Sequence, residues 1–204
     1  MPTACSPIYS ESMFRWPLKT AKGVEFELRL LELRDADALY ALADANREHI
    51  RPWLPWIAWT HSAGDVKKFI RAALKQFTEG DGFHAGIWVG GEIAGCVGLH
   101  AVDWQNQHVA VGYWLGREWE GRGLVTEGTR AVARYCFETY GLERVEIRAA
   151  VENKRSRAVA ERLGFTLEGV LRRTQRVDGR WLDNAVYSML RGEAGTLEAG
   201  KVDA

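Results

Sequence analysis

The sequence, 204 residues long, has few cysteines: Cys5, Cys96 and Cys136. They lack CxxC spacing and a close histidine, so neither a zinc site nor a disulfide framework is supported. They read as reduced thiols, two of them in the core. No apolar run approaches the roughly 20 residues a membrane-crossing helix needs. The N-terminal MPTACSPIYSESMFRWPL has no continuous apolar stretch followed by a small-residue cleavage site. A soluble cytoplasmic protein with no membrane partner is expected. Excess charge of one sign is missing too, since 27 Lys and Arg balance 27 Asp and Glu, and bulk charge gives no case for a nucleic-acid partner. Tryptophan is what the chain has in plenty. Of nine, Trp53, Trp56, Trp59, Trp114 and Trp119 fall in two short regions.

Periodicity supplies the element order. VEFELRLLEL (24–33) alternates as a strand, and Asp35 is placed to cap a helix through ADALYALADANREHI. Pro52 and Pro55 break that helix, and AGDVKKFIRAALKQFTEG restores helical spacing. FHAGIWV and EIAGCVGLHAV flank Gly90-Gly91, a two-residue hairpin signal, and HVAVGYWLG adds a third strand. A helix is predicted over 124–140, stopped by Gly141. RVEIRAAV then reads as a strand, NKRSRAVAERLGF as a short helix, and TLEGVLRRTQRV with WLDNAVYSML as a hairpin turning at Asp178-Gly179. With no repeat or linker, one domain over 24–191 is expected. An irregular lead-in over 1–23 would precede it, and a frayed tail over 192–204 would follow. The fold class is α/β (α+β), a mixed sheet with helices on both faces.

The junction EWEGRGLVTEG (118–128) invites a chemical reading. Glycines let a backbone adopt conformations closed to other residues and approach a ligand without a Cβ in the way. The first turn of the following helix offers free N–H groups and the positive end of its dipole. Phosphate suits such a place, with Arg117 and Arg122 as further cationic contacts. By itself Gly-x-Gly before a helix is equally a structural tight turn.

Two motifs in this order resemble the GNAT-type N-acetyltransferase superfamily. Glu118 to Gly123 is similar to its [Gln/Arg]-x-x-Gly-x-[Gly/Ala] turn except at Glu118, and NKRSRAVAERLGF resembles its later motif, with Asn153 ending the fifth strand. The likeness covers about 24–190. NREHIRPWLPW, GYWLGREWEGRG and LEGVLRRTQRVDGRWLDNAVYSML narrow it to the ribosomal-protein alanine or serine N-acetyltransferase branch, RimJ/RimL-like. The resemblance implies a seven-stranded mixed sheet with a splay between strands 4 and 5. It also implies acetyl-CoA as cosubstrate, no metal, and a homodimer. The acceptor would be an amine, either a protein N-terminus or a small molecule.

By the same resemblance, backbone of Glu120, Gly121, Arg122, Gly123, Leu124 and Val125 seats the pyrophosphate. Backbone of Tyr113, Trp114 and Leu115 binds the pantetheine arm, and Asn153 and Ser156 also belong to the cofactor site. The family's usual tyrosine acid, seven residues after the Asn, is replaced here by Ala160. Ser156 then stands where the branch has a serine proposed to serve the thiolate, although a first-turn serine is equally a cap. The branch's glutamate base is replaced by Gln175, which cannot accept a proton at neutral pH. His100 is a possible base or a packed strand residue, and Glu48, His49 and Asp183 are further candidates. Cys96 and Cys136 fit core packing better than an acetyl-cysteine intermediate, so direct attack in a ternary complex is expected. Trp53, Trp56 and Trp59 either wall an acceptor pocket, Trp53 and Trp56 together with Gln175, or seal a small core. The other readings are an antibiotic-modifying acetyltransferase, which would want an acidic cleft, and a non-catalytic acyl-CoA-binding sensor or interaction module.

Overall fold

A computed structural model describes residues 15–197. Cys5 and the ends of the expected lead-in and tail lie outside the described residues. Eight strands form one sheet: β1 (Arg15–Lys19), β2 (Glu25–Leu30), β3 (His84–Val89), β4 (Glu92–Leu99), β5 (His108–Leu115), β6 (Arg144–Ala150), β7 (Thr166–Val177) and β8 (Arg180–Leu190). Their order is β1-β2-β3-β4-β5-β6-β8-β7. Every neighbouring pair is antiparallel except β5 with β6, whose connection crosses over through the helix α4 (Leu124–Glu138).

The sheet thus has one strand more than expected. β1 lies in the supposed irregular lead-in, where Pro17 argues against a strand until the strand proves to be an edge, the one place a missing N–H costs nothing. The expected strand numbers therefore rise by one, and the pair expected to splay is β5 and β6. At the other end, Arg191–Leu197 form a 3-10 stretch and Leu197 is buried, so the expected frayed tail is ordered over its first six residues.

Helices α1 (Ala36–Ala45) and α3 (Ala63–Thr78) pack on one face, where Leu39, Leu42, Val66 and Ile70 meet Trp88, Ile93 and Cys96. The larger core lies on the other face, under α4 and α5 (Lys154–Arg162), with Val132, Cys136, Val159 and Leu163 against Leu28, Val97, Val111 and Ile147. The Gly90-Gly91 hairpin forms as predicted, with φ of 58° and 88°, the pair of positive values a type I′ turn requires.

Asp35 departs from expectation. Its carboxylate makes no cap for α1; it is buried, accepting from Arg29 at 3.1 Å and from the Glu32 N–H at 2.9 Å. The predicted helix also breaks ten residues in, at Asn46, before the single turn α2 (Arg47–Ile50). That break matters for the site.

Candidate active site

β5 and β6 pair from His108↔Arg144 to Val111↔Ile147 and then part. β5 runs on to Leu115 held only by β4 (Gly95↔Leu115), and β6 runs on to Ala150 held only by β8 (Ala150↔Asn184). A gap opens between two strands that are each secured from behind. Gly95 lets β5 lean back: a Cβ there would stand 2.2 Å from the Trp114 carbonyl oxygen, a distance no side chain tolerates. Gly112 to Leu115 therefore present one strand edge to the gap, and Tyr113, Trp114 and Leu115 of this edge are the residues expected to bind the pantetheine arm.

At the end of β5 a 3-10 turn (Arg117–Trp119) leads into the glycine junction. Gly121 and Gly123 have φ of 73° and 86°, which other residues adopt only at a cost of about 1 kcal/mol or more. Gly123 is the N-cap of α4, and the first helical bond runs from the Glu127 N–H to the Gly123 carbonyl at 3.0 Å. The N–H groups of Leu124, Val125 and Thr126 thus have no partner within the helix and point out of its positive end.

Three cations surround this turn. Lys22 donates to the Gly121 carbonyl at 2.7 Å; Arg122 donates to the Glu118 carbonyl at 3.0 Å and lies 4.6 Å over the Trp119 ring; Arg155 pairs with Glu120. Glu120 also pairs with His49 Nε2 at 3.1 Å, so one carboxylate on the turn links α2 to the first turn of α5. Backbone donors, a helix dipole and exposed cations together fit a polyphosphate.

Lys22 and Thr20 escaped the sequence reading because both belong to the β1–β2 connection. Thr20 is buried, 3.3 Å from where a Cβ on Gly123 would stand. Asn46 escaped it as well. Buried at the break between α1 and α2, it donates to the Leu42 carbonyl at 3.0 Å and accepts from the Arg117 N–H at 2.8 Å. Its one sequence signal is a poor helix former inside a periodic helix.

Across the gap, Asn153 caps α5 by accepting from the Ser156 N–H at 3.1 Å. Ser156 is therefore not the cap. Its hydroxyl donates to the Tyr113 hydroxyl at 3.2 Å, and Tyr113 donates in turn to the Ser156 carbonyl at 3.0 Å. Burial, opposed by that bond from Ser156, pushes the Tyr113 phenol up to about 12.

The sheet register sorts the remaining candidates by face. Ala110 is the register partner of Glu146, so Gly112, Trp114, Arg148 and Ala150 share the face opposite α4 and α5. Trp56 packs at a tilt of 55° against Trp114, with centroids 5.5 Å apart. Trp53 packs on Ala150, Val177 and Leu182, and its carbonyl accepts from Gln175 at 3.0 Å. The Pro-broken segment thus roofs the gap on this face. His100 reaches the same face, its ring 3.1 Å from the Cβ position of Gly112. Crowding by protein and then the Arg148 charge hold it below the ordinary histidine pKa, in the neutral form.

Several candidates are not brought here. Trp59 is 64% exposed. Glu48 points outward beside Arg51. Asp183 accepts from the Arg173 N–H at 2.7 Å and pins the irregularity in β7. Cys96 and Cys136 are buried, their thiols pushed up to about 12 by burial. Among the described residues no cluster of His, Cys, Asp and Glu is arranged to hold a metal, and no helix is long and apolar enough to cross a membrane.

The family model "Acetyltransferase (GNAT) domain" matches residues 25–166, which include both lips of the gap and the glycine junction. The chain belongs to the GNAT acetyltransferase family. It is accordingly an N-acetyltransferase. It is 38% identical over 168 residues to the putative ribosomal N-acetyltransferase YdaF of Bacillus subtilis (strain 168), a match covering 81% of this chain and 91% of that protein. It is 29% identical to the [ribosomal protein uS5]-alanine N-acetyltransferase of Escherichia coli (strain K12), over 79% of this chain and 86% of that one. Among solved structures, the microcin C7 self-immunity acetyltransferase MccE, in complex with acetyl-CoA and AMP, superposes with a TM-score of 0.77 at 30% identity, covering 81% of this chain and 92% of its own. The RimJ/RimL-like resemblance of the motifs is borne out by the two relatives named for ribosomal proteins.

Proposed function

We propose that this acetyltransferase moves the acetyl group of acetyl-CoA to a neutral α-amino group at a polypeptide N-terminus, by direct attack in a ternary complex. The observation that carries the proposal is the junction of the β5–β6 gap with the N-terminus of α4. Backbone from Glu120 to Val125 receives the pyrophosphate there, with Lys22, Arg122 and Arg155 as its cations. The gap edge at Tyr113, Trp114 and Leu115 binds the pantetheine arm and points the thioester toward Asn153 and Ser156. MccE was solved with acetyl-CoA, and the E. coli relative is named for an alanine on a ribosomal protein.

The α-amine follows from what the acceptor face lacks. Gln175 is an amide, so no carboxylate at that position takes the amine's proton. The amine must arrive neutral. With pKa values of about 7.7 to 8.0 for an α-amine and about 10.4 for lysine, about a third of the former and about a thousandth of the latter is neutral near pH 7.5, a preference of a few hundredfold. Trp53 and Trp56 wall the approach, and neutral His100 receives the proton released on attack. An acetyl-cysteine route needs a thiolate, and both buried thiols have pKa values of about 12.

The test follows release of free CoA with Ala- and Ser-initiated peptides, set against the same peptides blocked at the α-amine but carrying a free lysine. The proposal expects kcat/KM at least about 100-fold higher for the free N-terminus. Equal rates, or no release with any peptide, would contradict it.

A further inference from the structure

Departure of CoA as a thiolate calls for a proton donor, and α5 offers none of the ordinary kind: Ala160, one turn beyond Ser156, is fully buried and has no polar atom. A serine alcohol alone is a poor acid. The phenol of Tyr113 is a better one, and it already sits at the required place. It projects from β5 beyond the last pair with β6, and its oxygen lies 3.2 Å from Ser156 Oγ and 3.0 Å from the Ser156 carbonyl. The two hydroxyls therefore join the two lips of the gap.

The direction of these bonds assigns the roles. Ser156 Oγ donates to the phenol oxygen, an arrangement that stabilises a phenolate. The phenol proton is spent on a backbone carbonyl, a neutral acceptor that a thiolate would outcompete. Asn153 holds the Ser156 backbone by its N–H at 3.1 Å, so the serine keeps its orientation without using its hydroxyl. His100 lies on the opposite face, beside Gly112, and serves the amine rather than the sulfur.

We propose that Tyr113 is the proton donor to the departing thiolate and that Ser156 is a positioning residue acting through it. This rests on acetyl-CoA occupying the β5–β6 gap, as proposed above. The amine nitrogen bonds to the thioester carbon, the C–S bond breaks with its electron pair on sulfur, and the Tyr113 O–H proton passes to that sulfur, giving CoA thiol. The phenolate, held by Ser156 Oγ–H, then recovers a proton from solvent, to which His100 passes on the proton it took from the amine. Protons and electrons balance with no further reactant.

The test uses Tyr113→Phe, Ser156→Ala and the double variant, with a readout that needs no turnover. Calorimetry measures CoA binding between about pH 7 and about pH 9, the range in which a free thiol ionises, with desulfo-CoA as the control. A phenol donating to bound thiolate makes wild-type affinity rise at least about fivefold with pH. That rise should be absent for desulfo-CoA and absent for Tyr113→Phe. With an Ala-initiated peptide, Tyr113→Phe should lower kcat about 100-fold with little change in acetyl-CoA KM, and Ser156→Ala about tenfold. The double variant should match Tyr113→Phe, because Ser156 acts through the phenol. The inference is overturned if Tyr113→Phe keeps the pH-dependent CoA affinity, or if its kcat stays within about twofold of wild type while Ser156→Ala is the damaging change. Should wild type turn over no peptide, the peptide reading fails while the CoA titration still decides Tyr113.

Discussion

Single side chains in this protein gain their meaning from partners far away in sequence. Asn46 meets Arg117, Lys22 meets Gly121 and Tyr113 meets Ser156. None of these pairings leaves a trace in local periodicity, which is why the sequence reading assigned only backbone to Tyr113 and passed over Asn46 and Lys22. Gly121 and Gly123 were legible for the opposite reason. A positive φ excludes other residues through purely local sterics, so the glycines themselves carry the information.

His84 illustrates a titrating residue of this kind. It packs edge-on to Phe69, and burial first, then neighbouring His100, lower its pKa from 6.5 to about 4. A group whose folded pKa is depressed is fully stabilising above its unfolded value and loses that contribution as pH falls through the folded one. Above pH 6.5 the ring is neutral in both folded and unfolded chains and costs nothing; as pH falls the unfolded chain takes up the proton first, so up to about 3 kcal/mol of stability is lost between 6.5 and about 4. Thermal unfolding across that window should show His84→Gln with a flatter pH profile than wild type; parallel profiles would show that His84 is not the titrating group.

At the scale of elements, strands and helices with strong periodicity emerged where expected, from the β3–β4 hairpin to the turn at Asp178-Gly179, whose φ values are 50° and 78°. The failures share one cause. β1 with Pro17, the interruption of α1 at Asn46, which accepts from the Arg117 N–H, and the ordered stretch ending at Leu197 are all settled by tertiary contacts that override weak local signals. The roof over the gap is an element-scale device too. Its two prolines stop the helix, and its tryptophans divide the work, Trp56 on Trp114 beside β5 and Trp53 on Ala150 beside β6. Trp56→Ala should therefore lower kcat/KM for an Ala-initiated peptide about tenfold or more while acetyl-CoA affinity stays within about twofold. An equal loss of both would mean that the roof supports the donor site rather than the acceptor.

For the whole molecule, the sheet is a frame that holds two strands apart. β4 and β8 secure β5 and β6 from behind, α4 crosses between them, and the glycine junction stands where the gap meets the helix N-terminus. Donor groups, Tyr113 and Ser156 among them, face α4 and α5; His100, Trp56 and Trp114 face the other way. On the proposed reading the two substrates would approach one gap from opposite sides, an arrangement suited to direct transfer.

Calorimetric titration of acetyl-CoA into wild type and Gly123→Val tests this arrangement most directly. A β-branched residue at a φ of 86°, with its Cβ 3.3 Å from Thr20, cannot keep the N-terminus of α4 open. Affinity should fall at least about 100-fold in the variant while its thermal unfolding remains cooperative. Unchanged affinity would contradict the placement of the pyrophosphate at this junction.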